Sequence, residues 1–175
     1  MEATLFAYPV TLTKGDDGRY LVRFPDVPEA LTDGATEEEA LREAADCLSE
    51  ALMSRVADKE DIPLPSEVKR SQCQVAVDPT VALKVALYAV TREQGITAAE
   101  LTRRLHVEHK EARRLLDPYH ATKLPRLKDA LAAVGYEVAV TVHDASRRDR
   151  LLTSPVARQR PRMSIKKAIK VNRSA

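Results

Sequence analysis

Residues 96–116 read ITAAELTRRLHVEHKEARRLL, and this stretch decides the fold of the second half of the chain. Thr97 is a good helix N-cap, and Glu100 three residues later completes a capping box. Leu101 and Leu105 recur at helical spacing, and the helix is expected to end near His106-Val107. A second short helix is expected from Glu108 to about Leu116, burying Ala112, Leu115 and Leu116, with Pro118 closing it. Thr97, Leu101, Leu105, Val107, Ala112 and Leu115 have the spacing that lets two helices cross over one core. His106 stands at the turn position where glycine is common, and histidine tolerates left-handed backbone better than most residues.

Working outward, Pro79 after Asp78 starts a helix with Val81, Val85, Leu87, Tyr88 and Val90 along it, running to about Gln94 before Gly95. On the other side, Leu124 to Val134 carries Leu127 and Leu131 and ends at Gly135. Four short helices with a tight turn between the second and third predict an all-α helix-turn-helix domain of the lambda-repressor kind over residues 78–143. Val138, Val140 and Val142 alternate as a terminal strand whose open edge is a candidate contact for self-association. If the third helix enters a major groove, Glu108, His109, Lys110 and Arg113 reach the bases, and an arginine donates to guanine through two bonds. Thr97, Arg103, Arg104, Arg114, Lys123 and Lys128 are placed for phosphates, which position the domain without reading sequence. Residues 78–143 carry 10 basic against 8 acidic side chains, only +2, so firm binding calls for a homodimer or higher homo-oligomer on a two-fold operator. His106, His109 and His120 invite a zinc reading, but no cysteine lies near them and the spacing on short elements is poor metal geometry, so no metal or other cofactor is expected.

The first half reads differently. Phe6, Tyr8, Val10 and Leu12 alternate, a Gly15-Asp16-Asp17-Gly18 turn follows, and Tyr20, Val22 and Phe24 alternate again, which predicts an antiparallel hairpin. Pro25-Asp26-Val27-Pro28 breaks the pairing, and Glu29 to Thr32 is expected to return as a third strand. Thr36 with Glu39 is another capping box, opening a helix to about Asp58 with Leu41, Ala44, Ala45, Leu48, Ala51, Leu52 and Val56 on one face. Pro63 and Pro65 stop it, and Gln74 to Val77 is a last strand before Asp78. The whole is therefore an α+β chain: a β-β-β-α-β domain over residues 1–77, the helical domain, and a tail from residue 144.

Charge divides along the same line. Residues 1–66 hold 15 acidic and 6 basic side chains, a net −9, while residues 67–175 hold 22 basic and 11 acidic, a net +11. Two halves of opposite sign suggest two partners, one cationic and one polyanionic, though solvated surfaces alone give the same totals. Residues 144–175 hold 10 Lys or Arg and 2 Asp without sustained apolar periodicity, as expected of a disordered basic arm for phosphates or of an incidental extension. No apolar run approaches bilayer length, the N-terminus lacks signal-peptide character, and Cys47 and Cys73 form no CxxC pair, so a cytoplasmic protein with reduced thiols and no membrane partner is expected. A metal-dependent nuclease needs carboxylates converging from different elements. Asp16, Asp17, Asp26, Glu29 and Asp33 cluster instead in turns, and all four histidines lie beyond residue 100, so an enzyme is not expected.

The order of blocks carries a family resemblance. Tyr8-Pro9-Val10-Thr11-Leu12-Thr13, Gly18, Tyr20, Phe24, Asp26, Pro28-Glu29-Ala30-Leu31-Thr32, Gly34 and Ile62-Pro63-Leu64-Pro65-Ser66 resemble the N-terminal domain of HicB antitoxins. His120-Ala121-Thr122-Lys123 resembles the segment after the recognition helix in the longer, helix-turn-helix members. The resemblance covers about residues 5–142 and implies a partial, non-catalytic RNase H-like fold for the first domain. It also implies a HicA toxin as partner, a small basic mRNA-cleaving ribonuclease, together with repression of the chain's own operon through operator DNA. Asp26 and Glu29 match family positions and are the candidate toxin-binding residues. A ligand-responsive helix-turn-helix regulator without a toxin is the alternative.

Overall fold

The Asp-rich turn sets the register of everything before the long helix. In the computed structural model, which describes residues 6–139, the Gly15 N–H donates to the Arg19 carbonyl (2.8 Å) and the Gly18 N–H to the Gly15 carbonyl (3.0 Å). Gly18 sits at φ +84°, where a side chain is disfavoured. Lys14 is thereby set opposite Tyr20, and β1 (Ala7–Lys14) and β2 (Tyr20–Arg23) run antiparallel. β3 (Leu31–Gly34) adds to β2 and, later in the chain, β4 (Cys73–Ala76) adds to β1, giving an antiparallel sheet of order β3-β2-β1-β4.

Two strand positions differ from expectation. The third strand is Leu31–Gly34 rather than Glu29–Thr32, because Pro28 and Glu29 form a turn closed by the Ala30 N–H on the Val27 carbonyl (2.9 Å). That turn also buries Val27, expected in the break between strands, and Ala30, expected in the third strand. The last strand starts one residue early, at Cys73, while the Val77 N–H still donates to the Phe6 carbonyl (2.9 Å). This bond fixes the phase of β1: Tyr8 and Val10 point their backbone groups at β4, and Pro9 turns its missing N–H to the other side. Pairing of β1 with β2 begins only at Thr11, so the proline leaves no ladder bond unmade.

α1 (Glu37–Ala57) starts where the capping box put it, with the Thr36 hydroxyl accepting the Glu39 N–H (3.1 Å) and the Glu39 carboxylate accepting the Ala35 N–H (2.8 Å). Its buried line is Ala40, Ala44, Leu48, Leu52 and Val56, at four-residue steps, whereas Leu41, Ala45 and Ala51 of the expected face are only half-buried. The chain reaches α1 through Gly34, where an added Cβ would stand 2.4 Å from the Ala40 nitrogen. Lys59 at φ +58° ends the helix, with the Glu60 N–H on the Arg55 carbonyl (2.8 Å).

The described residues group into two compact units: residues 6–51 with Pro63–Val77, and Leu52–Ile62 with residues 78–139. The second unit holds α2 (Pro79–Gln94), α3 (Ala98–Leu105), α4 (His109–Leu116) and α5 (Leu124–Ala133). Asp78 caps α2 by accepting the Thr80 and Val81 N–H groups (2.8 and 3.2 Å), and Gly95 at φ +65° ends it. Val85, Leu87, Val90, Leu101, Ala112, Leu115, Leu127, Ala130, Leu131 and Val134 form its core, with α5 against α2, α3 and α4. Leu105, Val107 and Leu116, expected inside, are half-buried, and Thr97 is exposed. The expected terminal strand is not seen at Val138, while Val140, Val142 and the tail from residue 144 lie outside the described residues. The observed class is mixed α+β, one antiparallel sheet and five helices among the described residues.

Candidate functional site

The geometry of interest begins at the Thr97 hydroxyl, which accepts the Glu100 N–H (3.2 Å) and so aims the first turn of α3. At the far end His106 takes the left-handed conformation (φ +53°, ψ +42°), and the Val107 N–H closes on the Thr102 carbonyl (3.3 Å). Histidine thus does the work of the glycine usual in such turns. Three residues, His106 to Glu108, then suffice to start α4 at His109. Leu101 from α3 and Ala112 and Leu115 from α4 face inward, so the opposite face of α4 must face water. Glu108, His109, Lys110 and Arg113 are all exposed there, the four residues expected to read bases. Glu108 sits at the N-cap of α4 without capping it, which leaves that turn's N–H groups to other acceptors.

The residues expected at phosphates separate into groups. Thr97, Arg103, Arg104, Arg114, Lys123 and Lys128 are all exposed, but only Arg103 and Arg104 come together, on α3. There Glu100 binds Arg103 through one carboxylate oxygen (2.6 Å) and Arg104 through the other (2.9 Å). The Arg104 hydrogen bond, with Arg103 beside it, holds the Glu100 carboxyl below the usual carboxylate range. Arg114 stands on α4, Lys123 at the N-cap of α5 and Lys128 on α5. Glu111 pairs with Arg126, tying α4 to α5.

One residue that supports this arrangement was not singled out in the sequence. Lys84 of α2 is 7% exposed, and its ammonium donates to the carbonyls of Asp117 (2.9 Å), Pro118 (2.8 Å) and His120. Burial pushes its pKa down and the Asp117 charge pulls it back up. The three carbonyls lie just past the C-terminus of α4, where a cation also meets the negative end of the helix dipole. The sequence signal was a lone lysine inside the apolar run Val81–Val90. The same segment lines a shallow groove of about 470 Å³ with Met53, Val81, Tyr119 and Lys123. His120 shares its Nδ1 with the Thr122 hydroxyl (3.4 Å), and among the described residues no three His, Cys, Asp or Glu gather as a metal site would need.

In the first unit Asp26 and Glu29 fall in the same loop between β2 and β3. Asp26 is half-buried, and its carboxylate accepts the Ser66 N–H (2.9 Å). The Tyr8 hydroxyl donates to the Pro63 carbonyl (2.8 Å), so the Pro63–Ser66 segment is tied to β1 at one end and to the β2–β3 loop at the other. Glu29 is exposed in the turn. Outward on α1, Glu43, Asp46 and Glu50 are exposed at three- and four-residue spacing, a negative stripe. Cys47 and Cys73 are free and half-buried, and burial pushes both thiols up, away from reactivity. No helix among the described residues is long and apolar enough to cross a membrane.

Comparison with known proteins falls on the same elements. Residues 7–86 match the family described as the HicB-like antitoxin of bacterial toxin–antitoxin systems. The chain is 40% identical to the antitoxin HicB of Escherichia coli (strain K12) over 135 residues, 77% of this chain and 98% of the relative. It is 39% identical to antitoxin HicB 1 of Photorhabdus laumondii over 135 residues, covering 86% of that protein. Antitoxin HicB of Pseudomonas fluorescens (strain Pf0-1) is 30% identical over 144 residues, 82% of this chain and 98% of the relative.

Proposed function

The chain belongs to the HicB antitoxin family, and from that premise we propose that it neutralises a HicA-type ribonuclease toxin and represses its own operon by binding operator DNA. Its antitoxin role places it in a toxin–antitoxin system as a binding protein and not as an enzyme. Residues 1–77 serve the toxin and residues 78–143 the DNA, with the basic tail from residue 144 adding affinity for phosphate. The observation that carries the DNA half is the three-residue turn at His106, which joins two short helices over Leu101, Ala112 and Leu115 and leaves Lys110 and Arg113 outward. An α-helix fits a major groove, and such a face meets base edges. With only +2 on residues 78–143, the chain acts as a homodimer or higher homo-oligomer.

For the toxin half, the negative stripe of α1 and the net −9 of residues 1–66 complement a small basic ribonuclease and compete with its RNA. Asp26 and Glu29, in the loop between β2 and β3, add two acidic groups as proposed toxin contacts, with Asp26 also holding the Ser66 segment. Two experiments test the division. A toxic neighbouring gene product should be silenced by co-expression and should co-purify with this chain. Arg113→Ala should cost about 1–3 kcal/mol of operator affinity and leave toxin binding intact. Equal loss of both activities refutes separate sites.

A further inference from the structure

The ion pairs of α3 are arranged in a way that bears on how tightly this unit holds DNA. Arg103 and Arg104 stand three and four residues after Glu100, the two spacings at which helical side chains are neighbours. They converge on Glu100, each taking one oxygen of the same carboxylate, at 2.6 and 2.9 Å. Helical side chains lean toward the N-terminus, which carries both guanidiniums back to Glu100 in the first turn. That turn is the part of α3 proposed to face phosphate.

We infer that Glu100 governs the DNA affinity of this protein: its carboxylate holds Arg103 and Arg104 in the free chain, and duplex phosphate must displace it before they engage. The inference rests on the DNA-binding reading above. An exposed ion pair is weak, so a duplex with its dense phosphate charge can take both arginines over. The carboxylate stays beside the phosphates after the exchange. α3 then contributes a net charge of about +1 to the complex instead of +2, which lowers affinity for any sequence and leaves discrimination to α4. The arrangement sets how firmly the chain is held on any duplex at a given salt concentration.

Glu100→Gln removes the charge, keeps the shape and leaves a good helix residue at the third position of α3. The full chain, wild type and variant, is titrated by fluorescence anisotropy onto a duplex from its own promoter and onto a scrambled duplex, between 50 and 200 mM salt. Glu100→Gln should bind both duplexes about three- to tenfold more tightly, with a salt slope steeper by about 1, and its promoter-to-scrambled ratio should stay within about twofold of wild type. In an Arg103→Ala/Arg104→Ala background the same substitution should change affinity less than twofold, because the groups it releases are gone. Weaker binding by Glu100→Gln, or a gain that persists in that background, overturns the inference. Wild-type binding that Glu100→Gln leaves unmoved overturns it alone, whereas a wild type that binds neither duplex overturns the DNA reading along with it.

Discussion

Lys84→Met is the substitution that most directly tests how α3 and α4, the helices proposed to meet DNA, are held. Methionine keeps the apolar stem in the core of the second unit and deletes the ammonium that bonds the Asp117, Pro118 and His120 carbonyls. Charge-assisted hydrogen bonds contribute about 1.5–3 kcal/mol each, so three amount to roughly 4–9 kcal/mol before the cost of burial. Keeping an ammonium in a site only 7% exposed costs several kcal/mol, which leaves a net contribution of about 2–4 kcal/mol. Pro118 and His120 border an open groove from which water can replace the lysine once it is gone, so the loss should fall near the lower end, about 2 kcal/mol. For a unit of this size that is roughly 8–16 °C in Tm. Urea unfolding followed by circular dichroism gives the stability, and operator and toxin titrations give the consequence. The segment from Asp117 to Lys123 should loosen, so operator affinity should fall while toxin affinity holds. A variant within about 0.5 kcal/mol of wild type refutes the argument, as does loss of both affinities in step.

Other outcomes follow from the same contacts. Gly34→Ala forces a Cβ to 2.4 Å from the Ala40 nitrogen and 2.7 Å from its Cα, both backbone atoms, and should destabilise the first unit by about 3 kcal/mol in urea; a loss under 1 kcal/mol would show that α1 is not held so close. Asp26→Asn keeps an acceptor for the Ser66 N–H and should retain most stability, while Asp26→Ala should lose about 1 kcal/mol; full stability with abolished toxin binding in the Asn variant would show that the carboxylate itself meets the toxin. Glu100 is held below the usual carboxylate range in the fold, so its contribution is complete above the unfolded value of 4.5 and is lost as pH falls through the lower folded value. An acid titration of helicity should show that loss in wild type and not in Glu100→Gln.

Much of this was legible in the chain itself because the signals are local. Thr36 with Glu39, Asp78 with Pro79, and Thr97 with Glu100 each start a helix by bonding to backbone within three residues, and all three starts fall where the capping pattern put them. Gly18 and Gly95 mark left-handed positions, and His106 takes one as a non-glycine. The exposure of Glu108, His109, Lys110 and Arg113 likewise followed from the period of Leu101, Ala112 and Leu115. Less was legible where distant groups compete. Glu29 and Leu31 have similar neighbours in sequence, and the turn bond from Ala30 to Val27 decides which of them joins the sheet. Leu41 and Ala40 are both apolar, and only the close pass at Gly34 selects Ala40 for burial.

The 96–116 stretch therefore determined, by itself, two short helices, their caps, their turn and their outward face, since each depends on bonds or periods spanning a few residues. Only the tertiary structure decided which distant groups meet. Asp26 is proposed to meet the toxin, and in the fold its carboxylate also accepts a backbone N–H forty residues away. Lys84 looked like a stray charge in an apolar helix and proved to hold a loop thirty-three to thirty-six residues on. A capping bond is written within one turn of chain. The partner of a buried charge is whatever the fold brings within three ångströms, and no local pattern contains it.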